Sequence, residues 1–211
     1  MNRLLLLSLV LVLPPLATAQ KWEFGGGAGM GFYTSQDVTS PAGNGSATIK
    51  AGVAASGWLA NNTNRRWAGE IRYDFQMGDL QVKSGSTTAA FGSQSHAIHY
   101  DLQFHTSPPK SRTRPFVAFG GGFKHYRGTG TEVASQPLNK IALLTKTGDL
   151  KGLVSVGAGV KFNTGRFGFR IEVHDYLTPF PTKVIAPAQG ASIGGWLQDL
   201  VFSVGVSMLQ Q

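Results

Sequence analysis

The sequence has no cysteine among its 211 residues. Disulfides, thiolate nucleophiles and cysteine-held metals are therefore excluded, and an exported chain without staples must find stability in a core or in closure of its sheet. Charge is scarce too: Asp, Glu, Lys and Arg make up 14% of the chain, against roughly a quarter in soluble domains. Acids are the rarer sign, 11 against 19 basic residues, for a formal net charge of +8. That excess suits anionic partners such as lipopolysaccharide or phospholipid headgroups. Nucleic acid is the usual alternative, but the basic residues are scattered rather than striped. Beyond the N-terminus no apolar run is long enough for a transmembrane helix. Helical period is nearly missing, with a weak trace only in LNKIALLTK (138–146).

What is present begins with MNRLLLLSLVLVLPPLATAQ. Arg3 supplies a positive start, Leu4 to Leu13 a short apolar run, and Ala17-Thr18-Ala19 an A-x-A site. This is the pattern of a secretory signal peptide, too short to span a bilayer. Cleavage is expected after Ala19, leaving residues 20–211 as one domain.

Glycine reaches 28 residues, and period two dominates. Eight amphipathic segments can be read at 21–33, 48–60, 66–79, 95–106, 114–126, 152–162, 166–176 and 199–209. In the third, Trp67, Ile71, Tyr73, Phe75 and Met77 alternate with Glu70, Arg72, Asp74 and Gln76. In the seventh, Phe167, Phe169, Ile171 and Val173 alternate with Gly168, Arg170, Glu172 and His174. Such alternation over so many segments indicates an all-β protein. Connections after the second, fourth and sixth segments are short: NNTNR, SPPKSR and NTG. Those after the first, third, fifth and seventh are long. The regularity predicts an eight-stranded antiparallel up-and-down transmembrane barrel, with tight periplasmic turns and outer loops at 34–47, 79–94, 127–150 and 177–196.

The face opposite the aromatics decides which side is inside. It is mostly Gly and Ser, with a few charges of both signs: Glu23, Lys50, Glu70, Arg72, Asp74, Asp101, Lys161, Arg170 and Glu172. A solvated outer face would be densely charged. Small residues with pairable ions suit the narrow interior of an eight-stranded barrel. The apolar row is thus expected to face lipid. Trp22, Phe32, Tyr33, Trp67, Tyr100, Phe116, Tyr126, Phe162, Phe167 and Trp196 are candidates for interfacial girdles. Glu70, Arg72, Asp74, Asp101, Lys161, Arg170, Glu172 and His174 form an expected lumen network, structural or, as an alternative, pore-lining.

The glycine-rich first segment after the signal, RPFVAFGGGF, RIEVHDYLTP and the final LVFSVGVSM resemble small outer-membrane β-barrels of the OmpA/OmpX-like group. The resemblance covers nearly the whole mature chain. It implies a location in a Gram-negative-type outer membrane and insertion by the barrel assembly machinery. Such proteins usually end in an aromatic residue, whereas this chain ends SMLQQ, which leaves Phe202 and Met208 as elements of a variant signal.

Motifs for chemistry are weak. GASIG (190–194) is a literal G-x-S-x-G, but no histidine follows Ser192 to complete a triad. GGGAGMG lacks phosphate-loop spacing. His99 and His105 share a face with Asp101, yet one strand cannot supply the convergent ligands a metal needs. No catalytic, cofactor or metal site is expected. The expected function is a non-enzymatic barrel for envelope integrity or surface interaction, with an unknown extracellular ligand. A narrow channel, a lipid-acting barrel enzyme and a soluble lipocalin-like periplasmic barrel are the alternatives.

Overall fold

The computed structural model describes residues 21–62, 64–109 and 111–209. The expected signal peptide (1–19) lies outside them. Thirteen strands follow in order: β1 (Lys21–Tyr33), β2 (Gln36–Ser40), β3 (Gly43–Ile49), β4 (Gly52–Asn62), β5 (Trp67–Ser84), β6 (Thr87–His105), β7 (Thr113–Gly128), β8 (Ala142–Leu144), β9 (Gly148–Thr164), β10 (Phe167–Pro179), β11 (Ile185–Pro187), β12 (Ser192–Ile193) and β13 (Trp196–Leu209). Eight of these form an antiparallel ring, β1-β4-β5-β6-β7-β9-β10-β13, closed where β13 pairs with β1 from Tyr33↔Asp199 to Glu23↔Leu209. Closure pairs every edge, which a hydrocarbon surrounding demands. No helix of the described residues is long and apolar enough to cross a membrane.

Period two becomes two faces. Along β10 buried residues alternate with exposed or half-buried ones from Phe167 to Tyr176. The outward row is apolar: Ile71, Phe123, Ile171 and Val204 each keep more than half of their surface free. A continuous apolar surface of this extent is untenable in water and marks contact with a bilayer. The aromatic girdle divides. Trp22, Phe32, Trp67, Tyr100, Phe162, Phe167 and Trp196 face outward. Phe116 and Tyr126 are buried and Tyr33 turns inward onto Gln76, because their positions share the parity of the lumen-facing residues.

The segment expected at 48–60 is interrupted at Lys50–Ala51, so Ile49 belongs to β3 and Lys50 is exposed rather than inward. The expected outer loops are also largely folded. The stretch 79–94 is a continuation of β5 and β6, paired as far as Ser84↔Thr87, and it turns at Gly85 with φ +55°. A glycine with positive φ at the first central position suits a two-residue hairpin. The stretch 34–47 forms the β2–β3 hairpin, which joins β5 through Ile49↔Leu80. The weak helical trace at 138–146 is a turn followed by β8, which pairs with β11. Together these segments build an apolar core that includes Val38, Leu80, Val82, Phe91, Ile141, Leu144, Phe180, Ile185 and Leu197.

The inward row of β5 records the change of surroundings. It reads Glu70, Arg72, Asp74 and Gln76 within the barrel, then Leu80 and Val82 beneath the cap. Where lipid lies outside, polar groups collect within. Where water lies outside, the hydrophobic effect again drives apolar groups inward.

Candidate functional site

Among the described residues the lumen holds a buried concentration of charge of both signs. Its centre is a square of ions built by β5 and β10, which stand opposite each other across the ring. Both strands run in the same direction and place two oppositely charged residues two positions apart, but in reversed order, Glu70 then Arg72 on β5 and Arg170 then Glu172 on β10, so each arginine meets the opposite strand's glutamate. Arg170 Nη2 donates to Glu70 Oε2 at 2.6 Å, and its Nη1 reaches Glu70 Oε2 at 3.0 Å. Arg72 Nη1 lies 2.6 Å from Glu172 Oε1. Within the strands, Arg170 Nη1 donates to Glu172 Oε2 at 3.2 Å, and Arg72 is 3.5 Å from Glu70. Isolated charges here would carry a large desolvation cost, which pairing and added hydrogen bonds offset. The indole of Trp58 on β4 lies against the square, with the Arg170 guanidinium carbon 3.8 Å from its ring centroid. Room for it comes from glycine: a β-carbon at Gly25 would fall 2.5 Å from Trp58 Cζ2, and one at Gly205 would also strike the ring.

The network continues to both sides. Arg72 Nε donates to Asp74 at 3.0 Å, and Tyr176 donates to Asp74 at 3.0 Å. His99 sits between two carboxylates, Nε2 at 3.1 Å from Asp74 and Nδ1 at 3.0 Å from Asp101. His174 lies 3.6 Å from Glu172 and 3.8 Å from Asp101. Toward the short turns, Gln103 donates to Glu70 at 2.7 Å, and Lys161 donates to Gln103 and to Glu23, each at 3.0 Å. All eight residues expected in the lumen are thus brought together, either directly or through one intermediate side chain.

A layer under the cap lies outside the expected network, although Lys124 shares the expected inward face of its strand. Lys124 pairs with Asp199 and donates to Gln76 at 3.3 Å, while Tyr33 donates to Gln76 at 2.7 Å. The Lys124 ammonium lies 4.9 Å from the Tyr33 ring centroid and 5.4 Å from those of Tyr126 and Tyr176. Parity was the available signal: Asp199 alternates in step with Ser203 and Ser207, and Arg114 with Gly120 and Lys124. Arg114 is likewise buried, donating to Asn62 at 3.1 Å near the short turns.

The carboxylates of the arrangement are spent on other side chains, while Arg170 Nε, the Trp58 indole N–H and both His105 nitrogens make no hydrogen bond. No group of three or more His, Cys, Asp or Glu side chains suited to a metal occurs among the described residues. Ser192 is exposed in β12, paired across to Thr39 in the cap. His96 lies on the lipid-facing side, where Tyr73 hydroxyl and His96 Nδ1 are 2.7 Å apart.

No protein-family model and no curated protein matches the chain by sequence. The fold, however, is shared with solved outer-membrane proteins. The crystal structure of the outer membrane protein OprG from Pseudomonas aeruginosa superposes with a TM-score of 0.60 at 11% identity, covering 92% of this chain and 97% of that one. Neisserial surface protein A gives a TM-score of 0.54 at 10% identity, covering 89% and 96% respectively. At such identities the likeness establishes the fold, that of the small eight-stranded outer-membrane barrels of Gram-negative bacteria. The apolar outer belt fits a lipid bilayer.

Proposed function

We propose that this chain is a non-enzymatic outer-membrane barrel whose lumen is an ionic plug and whose folded cap is its working surface, serving envelope integrity or contact with an extracellular ligand. The observation that carries the reading is the depth of burial along the barrel axis. Glu70, Asp101, Gln103 and Asp199 have no solvent-exposed surface, and Arg72 and Arg170 almost none. A conducting pore would wet these groups, since a water-filled path is what makes lumen charges useful for selectivity. Here each one is spent on another protein group, and the apolar cap lies over the end of the lumen. Outer-membrane lipids are the proposed surroundings, and the barrel assembly machinery the proposed route of insertion.

Planar-bilayer recording of the purified barrel tests the reading. The expected trace is flat at all voltages. Reproducible unitary steps from the native chain would favour the narrow channel instead. The lipid-acting enzyme makes a separate demand, turnover of membrane lipid that stops when a single Ser or His is replaced. The expected result is no turnover by the native barrel.

A further inference from the structure

The short-turn end of the barrel carries charge of one sign. Arg65 and Arg66 occupy the β4–β5 turn, Arg112 the β6–β7 turn and Arg166 the β9–β10 turn, and all four are exposed. No Asp or Glu occurs in 61–66, 106–114 or 163–166. The nearest acid on β1, Glu23, is buried and held by Lys161. The opposite end is different, mixing Asp37, Asp79 and Glu132 with Lys83, Arg127 and Lys140. The turns that present these arginines are fixed. Asn64 Oδ1 accepts from the backbone N–H groups of Arg66 and Trp67 at 3.0 and 2.8 Å. Asn163 Nδ2 donates to the Ser111 carbonyl at 3.1 Å, and the backbone N–H of Asn163 donates to the Arg112 carbonyl at 2.8 Å. Gly165, with φ +71°, closes the last turn.

We propose that this rim binds the headgroups of anionic phospholipids in the periplasmic leaflet. The inference rests on the membrane-spanning reading above. Two features select a lipid plane over a macromolecular partner. First, the three turns join alternate pairs of strands, so guanidinium groups recur around the circumference instead of collecting on one side. A ring matches a plane, whereas a protein partner would meet a patch. Second, the arginines adjoin the outward aromatics at that end, Trp22, Trp67, Phe162 and Phe167. An aromatic belt bordered by basic residues is the arrangement that holds a protein at headgroup depth. Guanidinium recognises phosphate through paired N–H donors and stays charged at any relevant pH.

The test is energy transfer from tryptophan to acyl-labelled lipid in phosphatidylcholine vesicles. The protein carries Trp196→Phe, which leaves Trp22 and Trp67 to report from the rim and Trp58 in the lumen as a background common to both tracers. The tracer is phosphatidylglycerol or phosphatidylcholine bearing the same labelled tail. The expected result is about fivefold local enrichment of the anionic tracer at low ionic strength, the scale of one basic residue at a charged surface. It should fall to parity near ~1 M salt. Parity at low salt is also expected after Arg65, Arg66, Arg112 and Arg166 are all changed to Gln, with heat-modifiable migration confirming an intact barrel. Parity in the native chain, or full enrichment in the four-glutamine variant, overturns the proposal. Retention of the native barrel but not that variant on acidic peptidoglycan, with lipid parity, would assign the ring to the cell wall and overturn it equally. Absence of transfer to either tracer is a failure to insert and contradicts the membrane reading itself.

Discussion

Arg170 stacks its guanidinium 3.8 Å from the centroid of the Trp58 indole while donating to Glu70 on the far wall of the barrel. One side chain thus ties three strands together, β10 to β5 by charge and β10 to β4 by stacking. Arg170→Ala would leave Glu70 without its bidentate partner and Glu172 with one fewer donor, in a site water does not reach. The expected loss is about 3–5 kcal/mol, the usual consequence of breaking a buried ion pair. Arg170→Lys should recover only a fraction, since an ammonium supplies neither the planar stack nor the forked donors. Urea unfolding of the barrel in lipid vesicles reads both values.

Trp58 depends in turn on the two glycines beside it. Gly25→Val or Gly205→Val should displace the indole and destabilise the barrel by about 1–3 kcal/mol, as overpacking does. Combining Gly25→Val with Trp58→Leu should return part of that loss, giving a favourable coupling. Strictly additive effects would show that the glycines act on something other than the ring.

Lys124 and Asp199 form the second buried pair, and a double-mutant cycle separates its parts. Lys124→Met alone leaves Asp199 buried beside Gln76 and should be the costliest member of the cycle, at about 3–5 kcal/mol. Adding Asp199→Asn removes the stranded charge. The double variant is expected to be more stable than Lys124→Met, and a double variant as unstable as the sum of the singles would contradict the pairing.

These sites were unequally legible in the sequence. The barrel followed from alternation and from the strict succession of short and long connections. The central square could be read because Glu70, Arg72 and Asp74 share one parity, as do Arg170, Glu172 and His174, and the opposite parity is apolar. What alternation does not carry is the identity of the partner: that Arg170 crosses to Glu70 depends on the β5–β10 opposition, which only the closed ring supplies. Aromatic residues near strand ends misled for a different reason. Tyr33, Phe116 and Tyr126 stand where a girdle residue would, but their inward parity assigns them to the lumen. The cap was hidden by composition. DLQVKSGSTTAAFGS reads as a loop rich in small residues, yet Leu80, Val82, Ala89 and Phe91 keep the inward parity of β5 and β6 beyond the membrane section.

The cap should behave as a separable core. Ile185→Ala or Leu197→Ala removes a fully buried side chain from it and is expected to cost about 2–5 kcal/mol locally. Limited proteolysis should then cut within 127–150 or 177–196 while the barrel retains its heat-modifiable migration. Simultaneous loss of both would mean that cap and barrel fold as one unit.

The central claim is the direction of the two rows, and the absence of native cysteine lets single spin labels report it without background. Labels at Ile71, Phe169 and Val204, in a barrel reconstituted in lipid, should show high collision rates with dissolved oxygen and low rates with a water-soluble nickel complex. A label at Lys83, on the exposed hairpin, should show the reverse. If the labels at Ile71, Phe169 and Val204 instead collide freely with the nickel complex, the apolar row faces water and the account is wrong.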